Sequence, residues 1–134
     1  MINQLPDLYA NSGLYAQLMG AADRIADLEI SIDEANKHLD NIDHATTQSR
    51  LNYMEAGKHY PANSITMIQL RSRTIILHNS CEDARDSLRA YQDALANEWI
   101  NAYYLLAQVG YAHSNTPDDI TTAEQLKNYA QSNL

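Results

Sequence analysis

Two long stretches of this sequence carry apolar residues at alternating spacings of three and four. The first stretch extends from Leu14 to Tyr53 and the second from Met67 to Leu105. Such spacings put the apolar side chains on one stripe of an α-helix, so the pattern predicts two long helices that each bury one seam. This periodicity constrains the fold more than any other feature of the chain.

The two seams match when the second is read in the reverse direction. Opposite pairing places Ile32 next to Leu88, and it places the polar break at Thr46 next to the polar break at Thr74. A polar residue in one seam that meets a polar residue in the other indicates a shared register. The sequence therefore predicts a long antiparallel coiled-coil helical hairpin.

Breakers and capping residues set the expected helix bounds. The first helix is expected over about residues 13–56, and a turn with a glycine and a proline over 57–62. The second helix is expected over about 63–109, with Asn63 or Ser64 as its N-cap. Glycine and proline end helices, and asparagine or serine accepts a hydrogen bond from the first turn.

A third helix is expected over about residues 117–131. Thr116 and Pro117 offer a capping threonine followed by a proline at the first helical position. A broad apolar stripe near both chain ends would receive this helix. The predicted fold is all-α: the hairpin with a C-terminal helix packed at its base, a three- to four-helix bundle in one domain over 1–134.

Charge and cysteine content restrict the partners. The formal net charge is −8, which disfavours binding to nucleic acid or to anionic membranes and favours basic protein partners. One cysteine, Cys81, excludes an internal disulfide and a multi-cysteine zinc site. Neither a signal peptide nor an apolar run of about 20 residues is evident, so we expect a cytoplasmic protein without a membrane span.

No motif for catalysis or cofactor binding is present. The sequence lacks a glycine-rich phosphate loop, a His-Glu-x-x-His helix and a Gly-x-Ser-x-Gly elbow. Two carboxylate–histidine pairs exist, Asp40 with His44 and His78 with Glu82, but the heptad points the first pair away from the second helix. We therefore expect no enzyme, no cofactor and no metal site.

A basic patch interrupts the acidic chain near the predicted turn. Residues 50–73 hold four basic residues and one acid, and the register places Arg50 opposite Arg71. The candidate partner-binding residues of this tip strip are Arg50, Met54, Ile68, Arg71, Arg73 and Ile75. One interpretation is a dimer contact or a site for a carboxylate or phosphate. The other is that the arginines extend into water over their aliphatic stems.

Acidic residues recur along the first helix, among them Asp33, Glu34 and Asp40. They are either the solvated face of a long helix or a surface that fits a basic groove. Three functions follow. The leading hypothesis is a non-catalytic protein-interaction module, expected as a homodimer. The alternatives are a small acidic inhibitor of a nucleic-acid-binding protein, of the immunity or anti-defence type, and an anion or nucleotide sensor that uses the arginines.

Overall fold

Three α-helices make up the part of the chain that the structure describes. The computed structural model describes the backbone of residues 4–113 and 120–134 and the side chains of residues 13–110 and 120–134. The helices are α1 (Gln4–Ala56), α2 (Ile65–His113) and α3 (Ala123–Ser132), and no strand occurs in these residues. The all-α fold class predicted from the periodicity is confirmed.

The long helices extend beyond their predicted ends. Helix α1 begins at Gln4 rather than near residue 13, and α2 continues to His113. Pro6 does not interrupt α1, because it lies in the first turn, where the backbone N–H that proline lacks has no intrahelical partner. Gly13 lies inside the helix, and a Cβ added there would contact nothing within 4 Å.

Helix α3 begins later than predicted. The expected start at Thr116 and Pro117 lies outside the described residues, but residues 120 and 121 are not helical. Thr122 is the N-cap instead: its side chain accepts from the Gln125 backbone N–H at 3.2 Å, and the Gln125 side chain accepts from the Thr122 N–H at 3.2 Å. This capping box satisfies two backbone donors at once and therefore fixes the helix start.

The turn between α1 and α2 is closed by local hydrogen bonds. The Gly57 N–H donates to the Tyr53 carbonyl at 3.0 Å, and the His59 N–H donates to the Ala56 carbonyl at 3.0 Å. Of the two predicted capping residues, Ser64 is the one used: its hydroxyl accepts from the Met67 N–H at 3.2 Å. The Ser64 cap explains why α2 begins at Ile65.

Two compact units divide the described chain. The terminal unit holds the residues up to Ile30 together with those from Gln92 onward, and the central unit is Ser31–Tyr91. The buried apolar cluster of the described residues belongs to the terminal unit. Its fully buried large side chains are Leu18, Ile25, Val109 and Leu126.

The terminal unit is a three-helix core. Leu126 and Ala130 of α3 pack in one cluster with residues of α1 and α2, as predicted for the apolar stripe near the chain ends. Two further contacts hold the C-terminal segment: Lys127 Nζ lies 3.3 Å from Asp23 Oδ1, and the Tyr103 hydroxyl donates to the Ile120 carbonyl at 3.3 Å. Burial of its apolar face is what stabilises α3, since an isolated helix of its length does not persist in water.

The Tyr129 phenol of α3 titrates late because it lies in this core. Burial, followed by a hydrogen bond with Tyr15, raises the pKa of Tyr129 to about 12. The two rings meet edge to face, with centroids 5.9 Å apart. A folded-state pKa above the ordinary value of about 10 means that the neutral phenol stabilises the native state. This contribution is complete below about pH 10 and is lost as the pH rises towards 12.

We expect Tyr129→Phe to flatten the alkaline fall in stability. The variant has no phenol to ionise at this position, so its free energy of unfolding should decrease less between about pH 10 and pH 12. Urea unfolding at several pH values and the phenolate absorbance titration of both proteins measure this difference. The prediction would be contradicted if the tyrosine that is missing from the titration curve of the variant had an ordinary pKa of about 10.

The central unit is built from the two long helices alone. The Cys81 thiol of α2 contacts Asp43 of α1. Ser49 lies further along α1 and contacts Thr74, which lies earlier on α2, with 2.7 Å between the two hydroxyl oxygens. Its seam is only partly covered. Tyr91 of α2 is 40% exposed, and five large aliphatic residues are half-buried: Ile32, Leu39, Ile42, Leu77 and Leu88. The residues that are fully buried are small or polar, apart from Met67.

Candidate functional site

All six tip-strip residues lie in the central unit, and all six are exposed. Arg50 Nη2 lies 3.4 Å from Nδ1 of His78. The predicted register placed Arg50 opposite Arg71, and His78 lies one heptad further along α2 than Arg71. This position avoids a like-charge contact and gives the guanidinium an imidazole nitrogen instead. Among the described residues, Arg71 and Arg73 make no ion pair or side-chain hydrogen bond.

Four exposed isoleucines form one face of α2 in this unit. They are Ile65, Ile68, Ile75 and Ile76, with exposed fractions of 75%, 43%, 54% and 64%. At about 100° per residue they fall within an arc of roughly 100°. The seam residues of α2 lie on the opposite side of the helix, so this isoleucine face is the back of α2.

Sequence reasoning found half of the isoleucine face. It selected Ile68 and Ile75 because the heptad places them beside the arginines, and it missed Ile65 and Ile76. The signal was present in the spacing: residues 65 and 76 are eleven apart, which is close to three full turns. A second helical stripe on α2 was therefore readable, but the stronger seam pattern concealed it.

A polar cluster occupies the flank between the two helices near Cys81. The Cys81 thiol donates to Asp43 Oδ1 at 2.7 Å, and Arg85 bridges Asp43 and Glu82, with both nitrogen–oxygen distances at 3.4 Å. The hydrogen bond to Asp43, followed by burial, raises the pKa of the Cys81 thiol. A thiol held in its protonated form is a poor nucleophile, so this cluster does not prepare Cys81 for covalent chemistry.

A groove of about 650 Å³ runs along the other flank of the same two helices. Its floor is apolar and includes Ile42, Leu77 and Ala84. Small side chains line both walls, with Ser31 on α1 and Ser80 on α2. The apolar seam of the two helices is accessible between these walls.

The three acidic residues of the sequence analysis have different surroundings. Glu34 lines the groove. Asp33 pairs with Lys37 at 2.9 Å, an interaction that raises the pKa of the lysine. Asp40 is exposed. The structure therefore places one of them, Glu34, in a concave surface, together with Asp83 of α2 on the opposite wall.

The described side chains hold no group of three or more His, Cys, Asp and Glu residues that could bind a metal ion. Within the described ranges, no helix is both long enough and apolar enough to cross a membrane. No protein-family model, curated protein or solved structure matches this chain.

Proposed function

We propose that this chain is a non-catalytic protein-interaction module that acts as a homodimer through the isoleucine face of α2. The observation that carries the proposal is the exposure of Ile65, Ile68, Ile75 and Ile76 on one side of α2. A helix face that exposes several large apolar side chains is the usual mark of an interaction surface. The exposed tip-strip residue Arg71 borders this face, and aliphatic and guanidinium groups together suit a protein interface.

The small core of the central unit supports self-association. Two helices that bury one seam each are marginally stable, and here the large seam residues remain half-buried. A second copy that covers the back of α2 would supply the missing layer. We further propose that the two helices of this unit pack as an antiparallel coiled coil, in agreement with the contacts at Asp43 and Ser49.

The isoleucine face also fits the symmetry of a homodimer. In a two-fold interface each residue of one copy meets the symmetry partner of another residue. If two α2 helices cross in opposite directions near residue 70, Ile65 approaches Ile76 of the other copy and Ile68 approaches its Ile75. All four isoleucines are then covered in one self-complementary contact.

The test is the molar mass in solution, measured by light scattering on a sizing column over a range of concentrations. The wild type is expected at twice the chain mass of 15.1 kDa. Ile68→Asp should give monomers, because a carboxylate in an apolar contact remains unpaired. The matched control Ile30→Asp changes an exposed isoleucine outside the face and should keep the dimer.

A wild type that stays monomeric at every concentration would contradict the homodimer. Equal masses for Ile68→Asp and Ile30→Asp would contradict the assigned face. Circular dichroism of each variant verifies that its helices are intact, and Ile75→Asp repeats the test at a second position of the same face.

Each alternative function has one supporting observation. Glu34 and Asp83 in the groove favour an acidic inhibitor that binds a basic protein. The unpaired and exposed Arg71 and Arg73 favour an anion sensor. A monomeric wild type whose melting temperature rises with phosphate-bearing ligands would favour the sensor over the interaction module.

A further inference from the structure

The groove of the central unit has the dimensions of a helix-binding site. Its α1 wall extends from Ser31 to Ile42 and its α2 wall from Leu77 to Tyr91. At about 1.5 Å per residue these walls are roughly 16–21 Å long, which corresponds to three or four helical turns. Both walls belong to the same compact unit, so the groove does not depend on how the two units are arranged.

Small side chains make the groove open to a third helix. Ser31 on one wall and Ser80 and Ser87 on the other leave the apolar floor accessible. Helices pack with axes about 8–10 Å apart, and small residues at the contact permit the closest approach. The half-buried Ile42 and Leu77 of the floor would become buried beneath an apolar stripe of an added helix.

The charges of the groove specify the occupant. Glu34 lies on the α1 wall and Asp83 on the α2 wall, whereas the lining contains no lysine or arginine. The lining also holds one histidine, His38. An occupant therefore needs an apolar stripe flanked on both sides by positive side chains. Nucleic acid is unsuited to this lining because its phosphates would meet the two carboxylates.

We propose that this groove binds a basic amphipathic helix of a partner protein, with apolar side chains on the floor and Lys or Arg side chains beside Glu34 and Asp83. The inference rests on the proposed function, since it names the partner class of the interaction module. It also separates two surfaces of the central unit: the isoleucine face pairs with a second copy, and the groove receives the partner.

The experiment uses the full chain and a synthetic helical peptide of leucine and lysine, with leucines at spacings of three and four. Binding is measured by fluorescence anisotropy at physiological ionic strength. The peptide should bind the wild type, and a leucine–glutamate peptide of the same pattern should not. Glu34→Lys with Asp83→Lys should weaken binding by about tenfold or more, because both charge contacts become repulsive.

Two further variants separate groove docking from general attraction to an acidic protein. Asp40→Lys with Asp93→Lys makes the same change in net charge at exposed positions outside the groove lining and should bind nearly as the wild type does. Ser80→Trp leaves the charge unchanged but fills the groove, and it should abolish binding. Circular dichroism identifies any variant that fails to fold, in which case the remaining groove variant decides.

The inference is overturned if the peptide does not bind, if both double variants weaken binding equally, or if Ser80→Trp binds as the wild type does. It is also overturned if the groove variants change the molar mass of the protein, because a second copy would then occupy the groove. The inference is supported if the groove variants lose peptide binding while their molar mass remains that of the dimer. A monomeric wild type contradicts the proposed homodimer and leaves the peptide result to decide the groove by itself.

Discussion

Leu126→Ala is expected to lower the free energy of unfolding by about 2–5 kcal/mol. Leu126 is 0% exposed and contributes the central apolar side chain of α3 to the core of the terminal unit. Its truncation removes buried apolar surface and leaves a cavity between three helices. Helix α3 has 10 residues and depends on this packing, so the loss also weakens the attachment of the C-terminal segment.

Urea unfolding followed by circular dichroism measures the effect, and Leu51→Ala is the matched control. Leu51 is 53% exposed on α1, so the same truncation there should change stability by less than about 0.5 kcal/mol. Equal losses in the two variants would contradict the described core. The free energy of unfolding falls linearly with urea concentration. If the slope of this line changed for Leu126→Ala alone, α3 would already be detached in the native state of that variant.

The seam of the central unit could be predicted because it depends on one physical rule. Residues at alternating spacings of three and four lie on one side of a helix, and the structure buries or half-buries all of them on α1, from Ile32 through Thr46 to Tyr53. The packing of α3 was predictable for the same reason, since Ala123, Leu126 and Ala130 share one stripe of that helix. Periodicity identifies which face is buried without any knowledge of side-chain conformation.

The bounds and the flank contacts were less predictable. The start of α3 depends on the Thr122 capping box, which competed with the stronger proline signal at Thr116 and Pro117. The flank contacts depend on the reach of long side chains: the Asp43 carboxylate contacts Arg85, and Arg50, which the register places opposite Arg71, contacts His78. A heptad register predicts which residues are level, but a flexible side chain selects a complementary partner up to a heptad away.

The candidate surfaces were partly predictable. The sequence identified Ile68 and the arginines from their isolation on an acidic chain, and these residues are exposed. It did not identify the groove, because a groove is a property of the space between two walls. Ser31 and Ser80 are small, polar residues in the sequence, but the open apolar floor beside Ala84 exists only when the two helices are packed.

Glu98→Leu is expected to raise the free energy of unfolding by about 1–2 kcal/mol. Glu98 lies on the predicted seam of α2, in the terminal unit, where its neighbours in the pattern are apolar. One carboxylate oxygen accepts from Arg24 Nε at 2.9 Å. The other, Oε2, is buried without a hydrogen-bond partner among the described residues. Leucine removes this unsatisfied acceptor and restores an apolar seam.

Arg24 decides the sign of this effect. Its side chain is 53% exposed, so water can solvate the guanidinium when Glu98 is removed. The free energy lost with this ion pair is therefore smaller than the free energy spent on burying the carboxylate. The matched control is Glu82→Leu, which removes an exposed carboxylate that also contacts an arginine and should leave stability nearly unchanged. Urea unfolding of the three proteins at neutral pH measures the difference. A loss of stability in Glu98→Leu would mean that the Arg24 contact contributes more than the burial costs, and the carboxylate would then be a net stabiliser of the helix pair.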